Sequence, residues 1–218
     1  MNALYLLSLD LRDIARSLIS RRPHSSALAP ISHTKFNLYC FSPYSLEGKL
    51  GRAYNQYMEL VPDDEDWVCF YDRDVLFLTP DYGHQICEII ARNPDAGLLT
   101  CLTNRIGCPA QLYRGEMSAD PDILQHENIA RGLQLAHRYD TEPISGPVSG
   151  FVMVLKKRVW KQVLFSETRD LLDVDYQFTM RLTAKGFTIL LMKGIYVFHY
   201  YRLREGASHT AHLTGREQ

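Results

Sequence analysis

Two carboxylates with one residue between them, Asp72-Arg73-Asp74, follow directly on the apolar run Trp67-Val68-Cys69-Phe70-Tyr71. The run has the length and aromatic content of a buried strand, and Val75-Leu76-Phe77-Leu78 resumes the apolar pattern. Carboxylates are rarely buried without a partner, and ligands of open α/β sheets bind beyond strand C-termini. A pair at such a place reads as a cation site: both acids on one ion, or one on the ion and one on a substrate. Hard oxygen donors in an open site favour Mg2+ or Mn2+, with phosphate oxygens completing the shell. An isolated Asp-x-Asp is equally a solvated turn between strands, so the other landmarks must decide.

The elements that would position this pair alternate along the chain. Residues 36–41 read as a strand, followed by the turn-rich Ser42-Pro43-Tyr44-Ser45-Leu46-Glu47-Gly48, which sits where a nucleotide could be received. Leu50, Ala53, Tyr54, Tyr57, Met58 and Val61 fall at helical spacing; Arg52 lies off that stripe and is either a solvated surface residue or a diphosphate ligand. Thr79-Pro80-Asp81 opens a helix over residues 82–92, and residues 96–102 return as an apolar strand. The irregular segment 103–121, with Asn104 and Arg105, is longer than a connection needs. A helix follows over residues 123–139, in which His126 and His137 read as surface or satisfied polar groups. Gly150 precedes a strand at 151–155 and would let a substrate approach the backbone. Asp173-Val174-Asp175 opens a helix ended by Lys185-Gly186, where an acidic residue is either a cap or a catalyst. Strands at 187–192 and 195–198 complete the pattern, the second running into His199. Alternation of this kind predicts an α/β fold, a mostly parallel central sheet with helices on both faces.

A chain of 218 residues makes one sizeable domain, and a formal charge of −1 gives no electrostatic reason to expect nucleic acid. Five cysteines without Cys-x-x-Cys spacing suit reduced thiols and a cytoplasmic setting. No apolar run reaches transmembrane length, and peripheral contact with the inner membrane is left open. Residues 3–9 and 10–20 read as a strand and a helix, and the Ser, Ala and Pro-rich 25–34 as a loop, so 1–35 is an extension before a domain at 36–210 and a tail at 211–218.

Taken in order, Ala53-Tyr54-Asn55, Asp72-Arg73-Asp74, Ser149-Gly150, Val174-Asp175 and His199 resemble the landmarks of a metal-dependent glycosyltransferase of the GT-A (Rossmann-like) fold, in particular compact members of glycosyltransferase family 2. The resemblance covers residues 36–202. It implies a nucleotide-diphosphate sugar donor, a carbohydrate or other hydroxyl acceptor, and Mn2+ or Mg2+ as cofactor. It implies further that Asp74 and His199 hold the metal, with Asp72 as a third candidate ligand on the nucleotide side. Pro43, Tyr44, Arg52, Asn55, Asp72, Asp74, Asn104 and Gly150 would contact the nucleotide sugar, and Asp175 would be the general base. Three positions depart from the family pattern: Val174 replaces an acid, Tyr54 stands where Arg is common, and no second strand ends in a base-reading Asp.

That chemistry needs two opposed faces. A cation neutralises the charge of the leaving diphosphate, while a base takes the proton of an acceptor hydroxyl too weakly acidic to attack unaided. Single displacement inverts the anomeric centre. Two other readings stay open: a haloacid-dehalogenase-like phosphatase with Asp72 as nucleophile and Asp74 as acid/base, and a non-catalytic sugar-nucleotide-binding domain.

Overall fold

A strand apolar on both pleats must be covered on both faces, and Trp67–Tyr71 (β2) is one: Trp67, Val68, Cys69 and Phe70 are all buried. The computed structural model to which it belongs describes residues 36–167 and 173–200. The expectations for 3–20, 25–34 and 211–218 lie outside the described residues. In chain order the elements are β1 (Leu38–Phe41), α1 (Leu50–Glu59), β2, β3 (Val75–Phe77), α2 (Tyr82–Arg92), β4 (Leu98–Thr103), two 3-10 turns (Pro109–Gln111 and Tyr113–Gly115), α3 (Ile123–His137), β5 (Thr141–Ile144), β6 (Val152–Lys156), α4 (Lys157–Val163), α5 (Val174–Ala184) and β7 (Ile189–His199).

The strands form one sheet in the order β1-β2-β6-β4-β7-β3, with β5 also on β7. The expectation of a mostly parallel sheet is corrected, because the sheet is mixed. β1 with β2 and β4 with β7 are parallel; β2 with β6, β4 with β6, β3 with β7 and β5 with β7 are antiparallel. β3, β5 and β6 run against the other four strands. The three residues Asp72-Arg73-Asp74 between β2 and β3 are too few for a crossover to a strand of the same direction, which takes about a dozen residues or more, so β3 runs against β2 although the two are not neighbours.

Helices cover both faces. Tyr54 and Met58 of α1, Trp160 of α4 and Phe178 of α5 pack on Val68, Phe70 and Leu155. Ile86, Ile89 and Ile90 of α2 cover Cys69, Leu99, Cys101, Val152 and Val154 on the other side. Burial of each such side chain contributes on the order of 2 kcal/mol. α1 comes close to the segment after α4 only because residue 51 is Gly: a Cβ there would lie 2.0 Å from the Ser166 carbonyl oxygen.

The two terminal strands expected from the sequence are one strand with a bulge. β7 pairs with β4 through Cys101↔Met192 and then through Leu102↔Tyr196, so Lys193, Gly194 and Ile195 leave the ladder. Gln85 of α2 holds the bulge by donating to the Gly194 and Arg138 carbonyls. His126 of α3 is buried and satisfied, its ring nitrogens meeting the Tyr196 hydroxyl and the Asp120 carbonyl. Among the described residues no helix is long and apolar enough to cross a membrane, and all five cysteines are free thiols.

β1, β2, β4 and β7 run one way and β6 the other. The C-terminal ends of those four and the start of β6 therefore share one edge of the sheet.

Candidate functional site

At that edge β2 ends and the chain turns through Asp72-Arg73-Asp74. The turn is fixed by backbone: Asp72 N–H donates to the Phe151 carbonyl, Val75 N–H to that of Asp72, and Tyr200 N–H to that of Asp74. Pairing of Val75 with His199 then brings the last residue of β7 against the turn. Nε2 of His199 lies 3.3 Å from Asp74 Oδ1 and 3.9 Å from Asp72 Oδ2. One ligand atom from each of the three residues falls within 4.8 Å of the others. His199 is buried at 1% side-chain exposure, whereas Asp72 and Asp74 remain open at 44% and 39%.

The histidine is held at both ends. Pairing of β4 with β7 stops at Thr103↔Val197, and the Asn104 carboxamide extends it: Oδ1 accepts the His199 N–H at 2.7 Å and Nδ2 donates to the His199 carbonyl at 3.3 Å. The Phe151 ring stacks on the imidazole at 5.6 Å. Nδ1 lies 3.0 Å from the Arg105 carbonyl oxygen, which can only accept, so the proton of the neutral ring is on Nδ1. The Nε2 lone pair then faces two carboxylates. A cation among the three satisfies all of them, and a carbonyl partner on the far nitrogen is the usual outer support of a metal-binding histidine. One nitrogen and two hard oxygens suit Mn2+, with Mg2+ the harder alternative.

Burial pushes the Asp72 carboxyl up to about 6; His199 opposes the rise, while Asp74 and Asp175 add to it. Burial would raise Asp74 too, but His199 in its imidazolium form, with a second proton on Nε2, outweighs it by hydrogen bond and charge and leaves this carboxyl below its ordinary value. The two acids are thus unequal before any ligand arrives.

Asp175 stands in the first turn of α5, beside the start of β6. Its Oδ2 accepts the Gly150 N–H at 2.7 Å and its Oδ1 the Tyr176 N–H at 2.8 Å. Burial raises its pKa against these two bonds. Gly150 must be glycine for this contact, since a Cβ would lie 2.9 Å from Asp175 Cβ and 3.3 Å from Oδ2. The Ser149 peptide before it is clamped by buried Gln111, which accepts from its N–H at 2.8 Å and donates to its carbonyl at 3.0 Å.

The remaining expected residues divide. Pro43 and Tyr44 lie in the segment after β1, at the same edge, and the Arg73 guanidinium sits 4.2 Å over the Tyr44 ring. Asn104 bonds the His199 backbone with its amide. Asn55 is buried and spends its amide inside the protein, accepting from Trp160 Nε1 and Phe165 N–H and donating to the Phe165 carbonyl and to Glu167. Arg52 is exposed and pairs with Glu47 at 3.5 Å. Sequence reasoning passed over Gln111, Phe151 and the Arg105 carbonyl. The unusual length of segment 103–121 was the one signal for two of them. No protein-family model matches the chain, and no curated protein matches it.

Proposed function

We propose that the chain is a metal-dependent inverting glycosyltransferase of the GT-A type, moving a sugar from a nucleotide-diphosphate donor to a hydroxyl acceptor in glycan or surface polysaccharide synthesis. One observation carries the reading: Asp72, Asp74 and His199 converge within 4.8 Å at the sheet edge where Gly150 also holds a half-buried Asp175. Placement of Asp72-Arg73-Asp74, Gly150 and His199 at strand ends supports the GT-A assignment despite the mixed sheet.

Asp74 and His199, with Asp72, would hold a divalent cation, which supplies charge neutralisation to a departing diphosphate. Asp72 orients the nucleotide side. Tyr44, exposed under Arg73, offers a flat face to a nucleobase. Asp175 takes the proton of the acceptor hydroxyl at a carboxylate oxygen, and its raised pKa brings its basicity closer to that demand. Gly150 keeps the approach to that carboxylate open. On this reading the protein works in the cytoplasm, with peripheral contact where the acceptor is on a membrane.

The test is sugar transfer from a panel of UDP-, GDP-, CDP- and dTDP-sugars by wild type and Asp175→Asn. Wild type should invert the anomeric configuration of one donor. Asp175→Asn should lower turnover by about 1000-fold while leaving nucleotide affinity within about twofold. Near-normal turnover of that variant would show that Asp175 is not the base.

A further inference from the structure

A residue whose backbone touches the candidate metal ligands carries a charge for which the described residues supply no counter-ion. Arg105 is only 6% exposed, yet among the described residues its guanidinium makes no ion pair and no hydrogen bond, and Nε is fully buried without a partner. Three carboxylates belong to this region, Asp72, Asp74 and Asp175. None of them forms an ion pair with it. A buried guanidinium left unpaired is a large burden on the fold, and native interiors rarely carry one without a reason.

The residue's place in the fold gives the reason. Asn104, just before it, binds the His199 backbone, and Arg105's own carbonyl takes the His199 Nδ1 proton. The residue that carries the unpaired cation thus follows directly on the one that fixes the His199 backbone, and its own backbone carbonyl bonds the imidazole. A site with a cation centre and a separate fixed guanidinium matches a ligand bearing an oxyanion, because the planar fork of Arg bonds two oxygens at once. We propose that Arg105 is an anion-recognition residue of this site, pairing with a phosphate or carboxylate group of the ligand engaged by Asp72, Asp74 and His199. The proposal rests on the reading of that cluster as a ligand site.

Both sources of such a group can be tested. Calorimetry with inorganic pyrophosphate plus Mn2+, and separately with glucuronate, is run on wild type, Arg105→Gln and Arg105→Lys. Loss of about 10- to 100-fold in pyrophosphate affinity in Arg105→Gln, partly restored in Arg105→Lys, assigns the residue to a phosphate; the same pattern with glucuronate alone assigns it to a carboxylate. Thermal melting separates this from a structural role. Without ligand, Arg105→Met should melt at or above the wild-type temperature, because it removes an unpaired charge; a fall of more than about 5 °C would mean that the fold itself uses the guanidinium and would overturn the proposal. Anions that bind wild type and Arg105→Gln equally would also overturn it, while leaving the metal centre in place. Failure of wild type to bind either anion would remove both.

Discussion

At Gly150 a single added methyl group would meet Asp175 at 2.9 Å, nearer than non-bonded carbons approach. The Cβ of Asp175 is fixed by the backbone of α5 and no side-chain rotation moves it, so Gly150→Ala must part the start of β6 from α5 and carry Asp175 with it. Transfer should then fall by about 100-fold, the cost of an ångström-scale misplacement, with nucleotide affinity nearly unchanged. Steady-state kinetics beside nucleotide titration check this, and unchanged kcat would remove Asp175 from the chemistry. Acid-base behaviour gives a second prediction. The folded pKa of Asp175 is raised, so kcat/KM should fall tenfold per pH unit below that raised value, on a limb displaced upward from that of an ordinary Asp. Linkage has the opposite sign for stability. A carboxyl raised on folding stabilises fully below its unfolded pKa, and that contribution is lost as pH rises through the folded value. Asp175→Asn should therefore melt higher than wild type at pH 8 and no higher at pH 4. A melting temperature unchanged or lowered at pH 8 would contradict the burial that raises the carboxyl.

The elements show what could be read from sequence and what could not. The strand ending in Asp72 was legible because Trp67 to Phe70 admit no polar face, and α1 and α2 because their apolar residues recur at helical spacing. Strand direction was not legible. Apolar content of β6 is the same whichever way it runs, and β5, with Glu142 and Pro143, lacks strand composition and takes its place only by pairing with β7. α4 was hidden because it begins at Lys157, directly after β6, without a break in the chain. The internal partners of Asn55 were hidden for a related reason: its position on α1 says nothing of Trp160 and Phe165, more than a hundred residues away, whose N–H groups it accepts. Asn55→Ala would strand those two buried donors. It should lower stability by about 3 kcal/mol in urea denaturation, with the nucleotide site unaffected; a loss under about 1 kcal/mol would show that water replaces the amide.

At the scale of the molecule, the mixed sheet gathers residues 41–44, 72–74, 104–105, 150–151, 175 and 199 at one edge, although they are spread over most of the described chain. Local pattern marked several of them singly. Only the topology brings Asp74 to His199 and Gly150 to Asp175. Metal at this edge should therefore act on the whole fold, because a ligand bound by the native state alone raises its melting temperature in proportion to the logarithm of its concentration. The most direct measurement is calorimetric titration of UDP, GDP, CDP and dTDP into wild type and Asp74→Asn, with Mn2+ and again with EDTA. Binding of one nucleotide to wild type with Mn2+, weakened at least about 10-fold by EDTA and by Asp74→Asn, is the predicted result. Nucleotide binding indifferent to both metal and Asp74, or no binding to any of the four, would contradict a metal-dependent nucleotide-sugar site at Asp72, Asp74 and His199.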